Sequence, residues 1–402
     1  MTWQETSIGA LGRVVTGKTP PTGNREFYDG EYPFVTPTDL DWQSYVLRST
    51  HSTVTELARD RNKNQFIPAN STVFTCIGNT IGKCGITAVD CLTNQQINSI
   101  VPSDAHDPKF IYYLMNYHRP TIRSFGLGNG AAQPIINKST FSGIKVRVPE
   151  NREDEVRIAA ILSAYDDLIE NNRRRIALLE EAARQLYKEW FVRFLFPGHE
   201  HVKIIDGVPE DWEGGSIEDF YTTSSGGTPS RKVPEYFDGL IDWVKTGELQ
   251  GRFILQTEEK ITENGLRHSS AKLFPRQTVL VAMYGATIAQ IGILSSSAAC
   301  NQACCALMSA HPAANFAYAY LFLNMHRDGL IGLGKGSAQN NISQSIIREF
   351  PMVMPSQPVS VAFFEMVEPM FRQIENLQRQ NQQLAKARDL LLPKLMSGAI
   401  AV

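Results

Sequence analysis

The sequence predicts an α+β protein: two similar mixed α/β domains separated by two long helices that form an antiparallel coiled coil. Three observations predict it. An internal repeat runs through the chain, the texture turns twice to long helical periodicity, and each periodic stretch carries an apolar heptad seam interrupted by one Asn. At about 150 residues per domain, 402 residues are enough for two or three domains with cores of their own. The expected order is a first domain at 1–150, a spacer helix at 151–196, a linker at 197–211, a second domain at 212–355 and a C-terminal helix at 356–402.

The repeat justifies the two domains. Residues 16–40, TGKTPPTGNREFYDGEYPFVTPTDL, align without a gap on 225–249, SGGTPSRKVPEYFDGLIDWVKTGEL, with eight identities in 25 positions. TVFTCIGNTIGKCGI from Thr72 matches TVLVAMYGATIAQIGI from Thr278, and Asn94-Gln95 falls on Asn301-Gln302. The segment G-L-G-x-G-x-A-Q at 126–133 recurs at 332–339, and Pro149 recurs as Pro355. Residues 41–71 and 250–277 align poorly. Within a copy, short β-branched and aromatic runs at 32–36, 72–77 and 144–148 read as strands, with a helix near 110–117.

The long helices follow, the first ended by Pro197-Gly198 and the second by Pro393 and Gly398. One seam runs Leu162, Tyr165, Ile169, Asn172, Ile176, Leu179, Ala183, Leu186, Trp190; the other runs Val367, Met370, Ile374, Leu377, Asn381, Leu384, Arg388, Leu391. Antiparallel pairing with Asn172 opposite Asn381 sets Leu162 on Leu391, Ile176 on Leu377, Ala183 on Met370 and Leu186 on Val367. Tyr165 then meets Arg388, whose stem snorkels. The alternative is that each helix packs on its own globule with its Asn exposed. Leu178, Tyr187, Phe191, Phe194, Phe364 and Phe371 lie off the seam, a surplus that points to partner docking or to this chain's own domains.

Composition narrows the function. Lys and Arg number 39 against 41 Asp and Glu, and a net charge of −2 excludes binding nucleic acid through bulk charge. No basic leader, apolar 18-residue run or C-x-x-C pair occurs, so the expectation is a cytoplasmic chain that makes no membrane contact, with reduced core cysteines and no metal. Gly78-Asn-Thr-Ile-Gly82-Lys83-Cys84 is one residue short of a phosphate loop, and Cys84 lacks the hydroxyl that binds Mg. The Gly126 run opens no helix after a strand. No nucleophile elbow, zinc-protease helix or amino-methyltransferase motif occurs.

Recognition remains, carried by side chains that reach base edges or phosphates. In the first copy the candidates are Lys18, Asn24, Arg25, Arg61, Lys63, Asn64, Asn79 and Lys83. In the second they are Arg231, Lys232, Lys245, Arg252, Tyr284, Gln290, Lys335, Asn340 and Asn341. The Asn-Gln pair common to both copies is expected to be structural, because a shared residue cannot read two different sequences.

The G-x-T-P turn before Y/F-x-G, the Asn-Gln pair, the G-x-G-x-A-Q segment and the helix from Ile158, IAAILSAYDDLIENNRRRIALLEEAARQLYKEWFVRF, together resemble the specificity subunit of type I restriction-modification systems. The resemblance spans essentially the whole chain; the second helix opens PSQPVSVAFFEM, without the Glu-Gln usual there. It implies two target-recognition domains reading the halves of a bipartite, asymmetric double-stranded DNA target. It further implies that two methyltransferase subunits bring S-adenosylmethionine, that restriction motor subunits bring ATP and Mg, and that this chain binds no cofactor and performs no chemistry. The alternatives from other classes are a self-contained DNA methyltransferase or nuclease with an unrecognised motif, and a coiled-coil scaffold that does not bind DNA.

Overall fold

The computed structural model describes residues 1–127, 134–334 and 341–402. The chain forms two compact units, Met1–Glu170 with Gln382–Val402, and Asn171–Asn381. Both boundaries fall inside the long helices. Each long helix therefore contributes its inner face to the core of both units.

In the first unit, strands Gly12–Thr16, Ile97–Pro102, Thr72–Thr75, Cys84–Thr87 and Val46–Leu47 form a five-stranded sheet in that order. A four-stranded sheet runs Ser52–Val54, Tyr28–Val35, Cys91–Thr93, Phe66–Ile67, and Trp3–Ser7 pairs antiparallel with Lys145–Pro149. The helix Pro108–Leu127 covers the first sheet and buries Phe110, Ile111, Leu114 and Met115. It runs past the expected 110–117 and contains Pro120.

The second unit repeats this plan. Its five-stranded sheet orders Tyr221–Ser225, Cys304–Ser309, Val279–Ala282, Ile291–Leu294 and Phe253–Ile254; its four-stranded sheet orders Lys260–Ile261, Phe237–Val244, Ala298–Cys300 and Leu273–Phe274. The order of pairing is the same as in the first unit even across 250–277, where sequence similarity to 41–71 is lost. Burial pattern and pairing register, rather than residue identity, carry the topology there.

The first long helix spans Arg152–Tyr187 and continues as a π turn, Lys188–Val192. Asn151 Oδ1 accepts from the Glu153 N–H at 3.0 Å, and Glu153, Asp154 and Glu155 occupy the first turn, where the helix dipole favours acids. It ends ahead of Pro197-Gly198, because Phe194 adopts a positive φ of 59°. The second long helix, Gln357–Met396, runs through both Pro369 and Pro393. Pro393 does not stop it: its carbonyl still accepts from the Ser397 N–H at 3.0 Å, and the turn it begins buries Leu395 and Met396. Gly398, at φ +75°, ends that turn against Trp3.

Within each unit the two helix halves run antiparallel. In the first, Ile158, Ala159 and Leu162 share a core with Leu395 and Met396, and Leu391 packs on it. Arg388 does not snorkel past Tyr165 but is buried in an ion pair with Asp166. In the second, Ile176 and Ala183 share a core with Leu377, Ile374 and Val367, while Leu179, Leu186 and Met370 pack against it. Asn172 Nδ2 donates to Asn381 Oδ1 at 3.0 Å. Pairing along the seam and packing on the globules thus occur together.

Candidate nucleic-acid interface

The motifs shared by the two domains build scaffold. Gly17 lies where a Cβ would stand 2.2 Å from the carbonyls of Thr93 and Asn94, and Gly226 meets the Cys300 carbonyl at the same distance. Only glycine allows the G-x-T-P turn to come so close. Thr19 Oγ1 then donates to Gln95 Oε1 at 2.6 Å, and Thr228 donates to Gln302. Asn94 and Asn301 each accept from the backbone N–H two residues on, at 3.0 and 3.1 Å. The Asn-Gln pair therefore braces the turn in each domain, with its Asn half-buried and its Gln exposed.

The resemblance of 78–84 to a phosphate loop is superficial. Gly78–Thr80 is a 3-10 turn joining two antiparallel strands, and no helix follows it. Burial pushes the thiols of Cys76 and Cys91 up to about 12 and that of Cys84 to about 11, so these cysteines offer no thiolate at neutral pH. Among the described residues, no group of three or more His, Cys, Asp or Glu is arranged to hold a metal, and no helix is long and apolar enough to cross a membrane.

The candidate readers separate into two sets. Lys18, Arg25, Arg61, Asn79 and Lys232 are exposed, and their four cations have no carboxylate in ion-pair range among the described residues. Tyr284 is exposed beside the turn Gly285–Thr287; Gln290, just after that turn, and Asn341, whose neighbour Ile342 donates its N–H to the Met283 carbonyl, are half-buried. Others are already engaged. Asn24 donates to Glu26 at 2.7 Å, Lys63 pairs with Asp60 at 3.1 Å, Lys83 Nζ donates to the Pro37 carbonyl at 3.3 Å, and the Asn64 carbonyl accepts from Arg13.

Three candidates of the second unit are engaged in ion pairs as well. Arg252 Nε donates to Glu180 of the first long helix at 3.0 Å, which fastens the domain to its helix. Arg231 and Lys245 converge on Glu259 at 2.5 and 3.1 Å, and Lys245 also holds Glu258 at 2.8 Å. The Arg231 guanidinium lies 4.4 Å over Phe237 and 5.3 Å over Trp243, and beside Glu259 it holds that carboxyl below its usual range. Each of these cations is thus matched by an acid of its own unit, Arg252 by one on the long helix and Arg231 and Lys245 by Glu258 and Glu259, just before the strand Lys260–Ile261. Lys335 and Asn340 lie outside the described residues.

The docking set is corrected too. Tyr187, Phe191 and Phe371 are buried in the second unit's own core, Phe191 and Phe363 stacking edge to face at 4.6 Å, so they are closed to a partner. Phe194 packs on Trp212 and Phe364 on Phe316, both half-buried. Leu178 stands 70% exposed.

Sequence reading missed a cluster in the first unit: Trp42, Arg119 and Arg123, drawn from loop and helix. The available signal was the tetrapeptide N-x-H-R, present in both copies at 116–119 and 324–327.

The family model for the type I restriction modification DNA specificity domain matches residues 1–181 and again 209–386. The chain belongs to this family. It carries two DNA specificity domains, one in each unit. A type I restriction enzyme specificity subunit of Methanocaldococcus jannaschii, MjaIX, is 27% identical over all of this chain and 94% of its own length. The HindI specificity subunit of Haemophilus influenzae is 30% identical over 44% of this chain and 39% of its own. The crystal structure of the S subunit of the M. genitalium type I system has the same fold, with a TM-score of 0.63 at 14% identity, covering 98% of this chain and 96% of that one.

Proposed function

We propose that this type I specificity chain supplies address and spacing to a restriction-modification complex and performs no chemistry. Each domain reads one half of a bipartite, asymmetric duplex target, and the exposed faces of the long helices dock two methyltransferase subunits. S-adenosylmethionine enters with those subunits, and ATP and Mg with restriction motor subunits, in the cytoplasm. Methylating an adenine requires a base flipped into a pocket, which a partner would provide.

One observation carries this reading: the same sheet topology is built twice on identical bracing residues, while the surrounding loops differ in every candidate reader. Two copies of one reader with different side chains call for two unlike half-sites. Mapping methylated adenines in cells that express the chain with its methyltransferase partner tests it. The expected motif has two unlike halves separated by a fixed unread gap, and a continuous or perfectly palindromic motif refutes it. Methyl transfer by the purified chain alone would overturn the non-catalytic assignment.

A further inference from the structure

The first unit holds an exposed tryptophan within cation–π reach of two guanidinium groups. Trp42 is 42% exposed. The Arg119 guanidinium lies 5.5 Å and that of Arg123 5.6 Å from its ring centroid, both arginines projecting from the later turns of Pro108–Leu127. Among the described residues neither has a carboxylate in ion-pair range, whereas Arg59, Lys63, Lys109 and Arg157 of the same unit all do. Two like charges on one ring repel each other. The ring face offsets part of that repulsion, and an anion between them would offset the rest.

The cluster is built by its surroundings. Gly82 sits at φ +106°, and a Cβ there would come within 2.7 Å of Arg119 Cγ and 3.5 Å of Trp42 Cζ3. Glycine thus serves the turn and leaves the stack its space. Arg119 Nη1 donates to the Trp42 carbonyl at 3.3 Å and Nη2 to Asn116 Oδ1, while Asn116 Nδ2 donates to the Tyr112 carbonyl at 3.1 Å. Neutral acceptors therefore aim the guanidinium, and its charge stays unmatched.

Comparison between the two copies separates the roles. In the second unit Asn324 Nδ2 donates to the Tyr320 carbonyl at 2.8 Å, as Asn116 does to Tyr112, and Arg327 Nε donates at 3.1 Å to the carbonyl of Ala289, which stands at φ +56° in the place of Gly82. The arginine is common to both. Its companions are not: the Gly251 carbonyl accepts from the Tyr320 hydroxyl as the Ser44 carbonyl does from Tyr112, so the stretch from Leu249 to Gly251 is shorter than that from Leu40 to Ser44 and has no counterpart of Trp42, and Asp-Gly-Leu-Ile follows Arg327 with no second arginine. What both domains share cannot distinguish two half-sites, while what one domain owns can.

We infer that Trp42, Arg119 and Arg123 form a duplex-contact cluster of the first domain, in which Arg119 holds backbone phosphate while Arg123 and Trp42 read base edges. Arginine presents paired donors to guanine O6 and N7, and the indole edge offers apolar contact to a thymine methyl. The inference rests on the DNA reading proposed above.

The test is selection from a pool of random duplexes of about 40 base pairs, using the full chain assembled with its methyltransferase subunits. Wild type is compared with Trp42→Ala, Trp42→Phe, Arg123→Ala and Arg327→Ala. Trp42→Ala and Arg123→Ala should lose base preference in the same half of the enriched motif, leave the other half intact and bind the wild-type motif about tenfold more weakly, a loss of about 1.4 kcal/mol. Trp42→Phe should lose less. Arg327→Ala, which removes the second domain's counterpart of Arg119, should weaken binding with base preference in both halves unchanged. If Arg123→Ala and Trp42→Phe enrich the wild-type motif in both halves with unchanged affinity, or blur both halves equally, the cluster is not a reader. If the wild-type assembly enriches no motif, the DNA reading itself is wrong, a result distinct from failure of the cluster.

Discussion

Asp166 and Arg388 lie almost wholly out of water in the first unit, and the Tyr113 hydroxyl donates to the same carboxylate at 2.5 Å. Burial holds the Asp166 carboxyl above the usual carboxylate range, and the Arg388 guanidinium pulls it back. Replacing Arg388 with Met removes that pull and leaves the acid alone in the core. A carboxyl whose pKa is raised in the folded state above its unfolded value of about 3.8–3.9 loses stability as pH rises through that window and regains it as pH falls. Arg388→Met should therefore destabilise the first unit by about 3–5 kcal/mol at pH 7. The deficit should shrink toward about pH 4. Denaturant unfolding at pH 7 and at pH 5 measures it, and a deficit independent of pH would show that lost packing, not the stranded charge, is responsible. This pair was not legible in the sequence. The heptad placed Arg388 opposite Tyr165, but Asp166, one residue on, turns its side chain inward because Tyr113 waits there, and Tyr113 comes from a distant helix. Arg252 shows the same limit, since its acid lies 72 residues away.

At the scale of the element, the seam was legible because apolar spacing is local information. Asn172, 1% exposed, is bonded to Asn381, and a slip in register would set an amide against Leu or Ile. Asn172→Leu alone should lower stability by about 1–3 kcal/mol, since it strands the Asn381 amide. Adding Asn381→Leu should recover that loss or exceed it, while admitting alternative registers. Thermal unfolding of both variants, with the monodispersity of the double variant, checks the pair. A double variant as unstable as the single one would mean that the bond stabilises outright. Helix ends were less legible than helix faces. Proline is a stop signal only when the following turn has nothing to bury, and Leu395 and Met396 do have something. The sheets at 41–71 and 250–277 were illegible as a repeat, since matching topology there rests on alternating burial and not on shared residues.

At the scale of the molecule, the repeat gave away the two domains, and the loops withheld the reading face because tertiary ion pairs decide which cations are free. On the proposed function, inserting four residues at the unit boundary in both long helices lengthens them by about 6 Å. The unread gap in the methylated motif should then grow by one or two base pairs at about 3.4 Å each, with both half-sites unchanged. A motif with its original gap would show that the helices do not set the spacing.

The way each unit recruits the helices also orders biosynthesis. The second unit is one continuous stretch, Asn171–Asn381, but the first needs Gln382–Val402 to close its core. On the ribosome, the domain translated first is the last to be completed: Ile158, Ala159 and Leu162 stay uncovered until Leu395 and Met396 emerge. A nonsense change after Asn381 should accordingly harm the distant N-terminal domain and spare its neighbour. Limited proteolysis of such a product should degrade residues 1–170 and leave a resistant fragment from the second unit. Residues 382–402 thus act as a latch on the domain made first, and a nascent chain that stalls just after Asn381 carries one finished domain and one still open to chaperones and proteases.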